Sequence, residues 1–257
     1  MVKIFIDPGH GGMDSGAVGN GLYEKNVTLQ IARRINEILL NEYSGVTTRL
    51  SRTGDQTVSL SQRTNAANAW GADFYLSVHI NSGGGTGYED FIYPGSGTPT
   101  TTYQTNIHQE VMKLVDFVDR GRKQANFHVL RVSNMPALLT ENGFIDSSSD
   151  AAKLKQTDFI DRIARGHVNG LVRSFNLQKK LSGGGAYRLK TGTFANETHQ
   201  RIAAERLRSF SGWIVHEVSD NGLRLLTGSF RTRAHAEIAK RRVVNEFGWV
   251  VHIVEDN

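Results

Sequence analysis

The stretch VKIFIDPGHGG, residues 2–12, decides the fold class of the chain. Its apolar first half is typical of a buried strand, and the proline and glycines that follow predict a loop that carries His10. The stretch ADFYLSVHINS, residues 72–82, has the same arrangement and carries His79. Two apolar strands that each end in a polar, histidine-bearing segment indicate a sheet whose strand ends build a site.

Strand-like runs and helical patterns alternate through residues 1–177. One helix is expected between the first two strands, and a second opens near Ser59, with Gln62 as its capping partner. Two more helices are expected over residues 103–118 and 158–175, and further strands at VTTRL, EDFIY and PALLTE. This alternation predicts a three-layer αβα domain around a largely parallel, twisted central sheet.

The C-terminal part of the chain repeats itself. YRLKTGTF at residues 187–194 matches LRLLTGSF at residues 223–230, and Trp213 matches Trp249. Each repeat has the pattern of a strand, a turn, a helix and a second strand. Because neither half can bury its own apolar face, the two together predict one small α+β domain of βαββαβ order over residues 187–257.

A flexible linker is expected between the two domains. The segment QKKLSGGGA, residues 178–186, lacks apolar periodicity and contains three consecutive glycines. The predicted organisation is therefore a first domain of residues 1–177, this linker, and the duplicated domain.

Composition limits the chemistry that the chain can perform. The 257 residues contain no cysteine, so thiol ligands are excluded and any metal must be held by His, Asp or Glu. The net charge of +5 and the pI near 9.5 favour polyanionic surroundings. The basic residues are spread over both domains, which argues against a nucleic-acid binder. No apolar stretch is long enough to span a membrane, so no membrane insertion is expected.

Four side chains carry the candidate chemistry. His10, His79 and Glu141 lie at or near the carboxyl ends of predicted strands, where open α/β sheets build their sites, and Glu24 lies just ahead of the first helix. Two histidines and one carboxylate, with water in the fourth position, form a known type of catalytic zinc site, which His10, Glu24 and His79 can supply. Glu141 is then the extra carboxylate that takes a proton from the zinc-bound water.

Each residue also has a simpler interpretation. His79 alone could be an ordinary strand histidine, and Glu24 alone could be a charge that complements the dipole of the first helix. Their joint occurrence with the glycine-flanked His10 favours the metal site.

The first domain resembles the zinc N-acetylmuramoyl-L-alanine amidases called amidase type 3, which occur among bacterial autolysins, sporulation wall hydrolases and phage endolysins. The motifs that carry the resemblance are IDPGHGG, SRTGD, LSQRTNAAN, ADFYLSVHINS and MPALLTENGFIDSSSD, together with the E-K-N motif before the first helix. The resemblance implies one Zn²⁺ per chain on His10, Glu24 and His79, a catalytic Glu141, and cleavage of the amide bond between N-acetylmuramic acid and L-alanine in peptidoglycan.

Further residues receive lesser roles. Asp7 is a candidate for orienting the His10 imidazole, Arg63 for a buried structural partner, and Asn81 and His128 for substrate contacts. The C-terminal domain is similar to SPOR-type and endolysin wall-binding repeats, which implies binding of peptidoglycan and of anionic wall polymers. Its candidate wall-binding residues are Arg201, Trp213, Arg231, Arg233 and Trp249, although core packing is the simpler interpretation of both tryptophans.

Two other functions stay open at this point. The same metal chemistry would serve a zinc endopeptidase that acts on stem peptides, and a decayed site would leave a non-catalytic wall-binding protein. The chain begins without a basic region followed by a long apolar segment. We therefore expect synthesis in the cytoplasm without a signal peptide, and action on the wall after membrane permeabilisation or cell lysis, during sporulation or phage-driven host lysis. The pattern does not indicate an oligomeric state.

Overall fold

A computed structural model describes residues 1–180, 187–211, 213–230 and 233–255. Contacts divide the chain into two compact units, Met1–Lys180 and Leu181–Asn257. The glycines of the expected linker lie outside the described residues. The start of that linker segment differs from expectation, because Gln178–Lys179 is a short strand paired antiparallel with Tyr43–Ser44 of the first unit. Backbone pairing, which needs no apolar side chain, explains why the pattern did not indicate it.

The first unit contains ten strands and six helices among its described residues. The strands are β1 (Val2–Pro8), β2 (Val18–Gly19), β3 (Leu22–Tyr23), β4 (Tyr43–Ser44), β5 (Val46–Leu50), β6 (Phe74–Asn81), β7 (Tyr88–Ile92), β8 (Asp119–Gln124), β9 (Ala137–Phe144) and β10 (Gln178–Lys179). The helices are α1 (Glu24–Glu42), α2 (Leu60–Trp70), α3 (Thr100–Met112), α4 (His128–Val132), α5 (Ser148–Leu154) and α6 (Thr157–Phe175).

A six-stranded sheet in the order β5-β1-β6-β9-β7-β8 forms the centre of this unit. All neighbouring strands are parallel except β7 and β9, which are antiparallel. Ile4 and Ile6 of β1 lie in one apolar core with residues of α1, α3 and α6, whereas Phe5 lies in another with residues of α2 and α4. The alternation of side chains along a strand thus gives the sheet two buried faces. The predicted αβα architecture is confirmed.

Two helix boundaries show how local sequence sets this fold. α2 begins where the Ser59 hydroxyl accepts a hydrogen bond from the Gln62 backbone and the Gln62 side chain accepts one from the Ser59 backbone, which is the expected capping box. α3 ends at Met112 rather than near residue 118. Val115 and Phe117 are buried beyond the helix, in the segment that leads into β8, so their apolar character reflects the core and not a longer helix.

The second unit follows the order strand, helix, strand, strand, helix, strand. Its elements are β11 (Tyr187–Thr191), α7 (Glu197–Ser211), β12 (Val215–Ser219), β13 (Leu223–Phe230), α8 (Arg233–Phe247) and β14 (Val251–Glu255). They form a four-stranded antiparallel sheet in the order β12-β13-β11-β14 with its own apolar core. Among the described residues of either unit, no helix is long and apolar enough to cross a membrane.

Candidate active site

The loop after β1 holds His10 in an unusual backbone conformation. Its φ is +61°, in the left-handed region that side-chain-bearing residues adopt only under constraint. Two buried arginines supply part of that constraint. Arg63 donates to the carbonyl oxygens of Pro8 and His10 at 2.7 and 2.6 Å, and Arg52 donates to that of Gly9 at 2.8 Å. The loop is therefore held by charge-assisted hydrogen bonds on its backbone rather than by its own side chains.

Glycine is required where the two histidine-bearing segments meet. A Cβ atom added at Gly9 would lie 2.4 Å from Cε1 of His79, so the imidazole ring of His79 packs directly against the loop backbone. The rings of His10 and His79 are 4.9 Å apart and nearly perpendicular. Close backbone approach thus brings together two histidines that lie far apart in sequence.

Glu24, the first residue of α1, joins this pair. Its Oε1 is 2.9 Å from Nδ1 of His79 and 3.1 Å from Nε2 of His10. Ligand atoms of all three residues lie within 4.8 Å of one another, which makes the group a candidate metal site. Burial by itself would raise the pKa of Glu24, but the two imidazoles outweigh burial and hold that pKa well below its ordinary value. Glu24 is therefore ionised and can serve as an anionic metal ligand.

The orientation of His10 is set by a second carboxylate. Nδ1 of His10 lies 2.8 Å from Oδ2 of Asp14, which leaves Nε2 facing Glu24. Burial opposes protonation of His10, yet its contacts with Glu24 and Asp14 raise the pKa of the imidazole above its ordinary value. A carboxylate on the outer ring nitrogen is the usual means of fixing the tautomer of a metal-binding histidine.

Glu141 lies opposite His79 in the pairing of β6 with β9. Its residue surface is partly exposed, but Oε2 is buried and has no hydrogen-bond partner. Burial raises the pKa of Glu141 well above its ordinary value, and the negative charges of Glu24 and Glu89 raise it further. A buried carboxyl group without a partner is costly, so its position calls for an explanation from function.

A cleft of about 290 Å³ joins these groups. It is lined by the three clustered side chains and Glu141, and also by Asn81, Phe127 and His128 among others. Nε2 of His128 is likewise buried without a partner. Two unpartnered polar atoms beside one candidate metal site indicate a cleft built to receive a polar ligand.

The family follows from comparison with known proteins. Residues 4–173 match the family model described as N-acetylmuramoyl-L-alanine amidase. The chain belongs to this family. It is 67% identical over 194 residues to the sporulation-specific N-acetylmuramoyl-L-alanine amidase of Bacillus subtilis (strain 168), a match that covers 76% of each chain. The amidase is also 37% identical over 224 residues to the endolysin of Bacillus phage SPP1, covering 85% of this chain and 82% of that protein.

A solved structure agrees with the fold of the first unit. The catalytic domain of CwlV, an N-acetylmuramoyl-L-alanine amidase from Bacillus (Paenibacillus) polymyxa var. colistinus, superposes with a TM-score of 0.65 at 32% identity, covering 69% of this chain and 100% of that domain. Family, relatives and fold agree, and the chain is a peptidoglycan amidase that acts on the bond between N-acetylmuramic acid and L-alanine.

Asp7 does not orient His10 in the amidase, contrary to expectation. Its carboxylate accepts hydrogen bonds from Arg63 at 2.7 Å, Ser51 at 2.6 Å and Ser77 at 3.0 Å, and the residue is 1% exposed. The orienting contact is made by Asp14, whose Oδ2 lies 2.8 Å from Nδ1 of His10. Asp7 instead anchors Arg63, which in turn holds the loop.

Three contributors to the site were not indicated by the sequence pattern. Asp14 lies four residues after His10, a spacing that could have signalled contact, and Arg52 lies within the SRTGD motif. Glu89 accepts a hydrogen bond from Nδ2 of Asn81 at 2.8 Å. Nothing local distinguishes Glu89 from a solvent-facing strand residue, since its contacts come from other strands.

The remaining histidines of the first unit lie in other surroundings. His108 lies between Asp90 and Asp119 at 2.9 and 3.0 Å and borders a separate cavity of about 570 Å³. His167 is fully buried, and burial lowers its pKa to about 4. Neither lines the cleft that contains Glu141.

The candidate wall-binding residues divide into two groups. Arg201 and Arg233 are exposed, whereas Arg231 lies outside the described residues. The rings of Trp213 and Trp249 pack at the edge of the core: Trp213 lies 5.2 Å from Phe230, and Trp249 lies 4.4 Å from Phe247. Both tryptophans therefore take part in packing.

Proposed function

We propose that the amidase hydrolyses its bond with the help of one zinc ion held by His10, Glu24 and His79, and that Glu141 moves the proton. The observation that carries this proposal is the unpartnered carboxyl group of Glu141, which borders the same cleft as the three clustered donors. A buried carboxyl group without a hydrogen-bond partner is costly, and a ligand or water bound in this cleft would supply the missing partner.

The donor set fits zinc. Two imidazole nitrogens and one carboxylate oxygen converge within 4.8 Å, and the chain has no cysteine that could compete for the ion. Two histidines with one glutamate are a known set for catalytic zinc, with a further position open to water or substrate. When bound, the ion would polarise the scissile carbonyl group and lower the pKa of an attacking water.

The protein's own side chains account for the rest of the reaction. Oε2 of Glu141, held beside His79, receives the proton of the attacking water and passes it to the amide nitrogen as the bond breaks. Burial and the negative charges of Glu24 and Glu89 raise the pKa of Glu141 above its ordinary value, which favours uptake of that proton. Asp14 keeps Nε2 of His10 directed at the cluster throughout.

Metal content and products test this mechanism together. The purified amidase should contain about one zinc per chain, lose activity on chelation and regain it on zinc addition. Digested peptidoglycan should gain L-alanine amino termini without new reducing sugar ends. Full activity in metal-free protein would overturn the mechanism, and new termini elsewhere in the stem peptide would indicate an endopeptidase instead.

We further propose that the second unit binds wall polymers. One face of its sheet is packed by α7 and α8 through residues such as Leu189 and Leu225. Strand alternation places Lys190, Arg224 and the exposed histidines His216 and His252 on the opposite face, together with Val218 and Leu226. The basic side chains of this face support the binding of an anionic polymer.

Sedimentation of the inactive amidase with purified walls tests that proposal. Glu141→Gln protein is used so that the wall is not digested. Binding should weaken as salt rises, and Lys190→Gln with Arg224→Gln should weaken it at low salt. Arg201→Gln with Arg233→Gln is the matched comparison, since these exposed residues lie on α7 and α8. Unchanged sedimentation of both double variants would exclude a charge-based role for either surface.

A further inference from the structure

The face of the sheet that carries His79 and Glu141 continues across two more strands. His79 pairs with Glu141 between β6 and β9, and Glu141 pairs with Glu89 between β9 and β7. Paired residues on neighbouring strands project to the same face of a sheet. The three side chains therefore form one row that runs from the candidate metal site towards the sheet edge.

An irregularity in β8 adds two cations to the end of this row. Tyr88 pairs with Asp119, but Asp90 pairs with Arg122, so β8 has one extra residue around Gly121, whose φ is +82°. Such a bulge turns residues on either side of it towards the same face. As a result Arg120 and Lys123 both reach Oε2 of Glu89, Arg120 through Nε at 2.7 Å and Lys123 through its ammonium group.

The charges in this group do not cancel. Glu89 is 5% exposed and accepts from Asn81 on its other oxygen, whereas the side chains of Arg120 and Lys123 are 33% and 37% exposed. One buried carboxylate would be satisfied by a single cation. Two cations leave a net positive charge, and both are partly open to solvent.

Each of the two cations lies over an aromatic ring, and the ring beside Lys123 packs on a residue of the cleft. The guanidinium of Arg120 lies 4.8 Å from the ring centre of Phe144, and the ammonium of Lys123 lies 5.9 Å from that of Phe91. Phe91 packs edge to face on Phe127, which lines the cleft beside Glu141. Contacts between aromatic side chains therefore lead from the cleft to Lys123.

We propose that Arg120 and Lys123 form a subsite that binds a carboxylate of the stem peptide. The proposal rests on the amidase activity described above. Strands are spaced by about 4.8 Å, so β8 lies roughly 10 Å from Glu141, which an extended peptide covers in about three residues. The first stem residue, L-alanine, has an uncharged side chain. The carboxylate that the cations meet belongs to the second or third residue of the stem.

Paired substrates test this subsite. The amidase is given N-acetylmuramoyl tripeptides that have either free carboxylates or carboxamides at the second residue and at the peptide terminus. At one of these two positions, the wild-type protein should cleave the free-carboxylate substrate with about tenfold higher kcat/KM than the matching amide. The difference should lie mainly in KM, because the contact with the carboxylate is the same in the bound substrate and in the transition state. Arg120→Gln and Lys123→Gln should each reduce that ratio towards one.

Two further variants separate recognition from stability. Arg120→Lys retains the charge and should retain most of the discrimination. Arg122→Gln lies on the same strand but contacts Thr105 on the opposite face, and it should leave the ratio unchanged. Because the readout is a ratio of two substrates, a loss of folded protein does not alter it.

The possible failures are distinct. Equal cleavage of acid and amide forms by the wild-type protein would overturn the subsite and leave the amidase activity intact. A ratio that survives both Arg120→Gln and Lys123→Gln would also overturn it. Cleavage of neither form would overturn the activity itself, and the subsite with it.

Discussion

Asp7 and Glu141 are two carboxyl groups on the same face of the central sheet, separated by β6, and their surroundings are opposite. Asp7 accepts hydrogen bonds from Arg63, Ser51 and Ser77. Burial would raise its pKa, but the charge of Arg63 and these hydrogen bonds outweigh burial and lower it. Glu141 has an unpartnered Oε2, and its pKa is raised well above the ordinary value.

The difference separates a structural carboxylate from the proposed proton carrier. Asp7 is buried and accepts hydrogen bonds from protein donors on both oxygens, and it fixes Arg63 under the His10 loop. The carboxyl group of Glu141 lacks a hydrogen-bond partner, which lowers the stability of the free protein. Its Oε2 is therefore free to form a hydrogen bond with substrate or water. Burial alone therefore does not identify a candidate catalytic group; in Glu141 the signal is an unpartnered oxygen beside the candidate metal site.

The largest effect is expected from Glu141→Gln. This change keeps the shape of the side chain but removes the proton acceptor, so kcat should fall by at least about 10²-fold while zinc content stays the same. Turnover and bound metal are measured on the same sample. The exposed Glu37→Gln on α1 is the control and should remain active. Near-normal turnover of Glu141→Gln would assign the proton transfer to another group.

Breaking the Asp7 pair should lower the stability of the first unit. Arg63→Met leaves the Asp7 carboxylate buried without its cation and should lower the free energy of unfolding by about 3–5 kcal/mol. Urea unfolding of residues 1–180, followed by the fluorescence of Trp70, provides the measurement. Arg33→Met, at an exposed arginine of α1, should change it by less than about 0.5 kcal/mol. Equal effects of the two changes would show that the buried pair is not structural.

The ionisations of Glu141 and Asp7 should change the free energy of unfolding in opposite directions as pH rises. In metal-free protein, the pKa of Glu141 is higher in the folded state than its ordinary value of 4.5 in the unfolded state. As pH rises above 4.5, the unfolded state loses the proton first, so the free energy of unfolding falls. Glu141→Gln should remove that loss and stabilise the metal-free protein at pH 7 by about 1–3 kcal/mol. Thermal unfolding of both proteins at several pH values measures this difference. A variant less stable than wild type at pH 7 would contradict it.

Asp7→Asn is the counterpart of that experiment. Because the folded-state pKa of Asp7 is lowered, its contribution is present above pH 3.8 and is lost as pH falls through the folded value. The variant should therefore be less stable than wild type at pH 7, and the gap should narrow in acid. If the difference in stability between Asp7→Asn and the wild type did not depend on pH, the destabilisation would come from packing and not from the charge of Asp7.

The smallest effect is expected from Asp14→Asn. Asp14 contacts His10, as Asp7 contacts Arg63, but the Asp14 side chain is 62% exposed. Solvent therefore screens its contact with His10. Zinc affinity should fall by roughly tenfold, the lower end for a group that orients a metal ligand. Competition with a chelator measures the affinity. An unchanged affinity would remove Asp14 from the support of the site.

Sequence patterns predicted the elements whose side chains are buried and failed where the backbone alone makes the contact. β1 and β6 are apolar because both of their faces lie under helices, so they were recognised. β8 reads DRGRKQ and was not expected, because an edge strand is held by hydrogen bonds to β7 and needs no apolar face. β10 was missed for the same reason.

By itself the sequence determined the αβα class, the internal repeat and the set of side chains that the structure brings together as His10, Glu24 and His79. These follow from periodicity and from residue types at strand ends, which are local properties. Only the tertiary structure decided that Asp14 rather than Asp7 orients His10, that Glu141 lacks a partner, and that two cations meet Glu89. Each depends on which distant residues come within hydrogen-bonding reach, and strand order, register and one bulge set those distances.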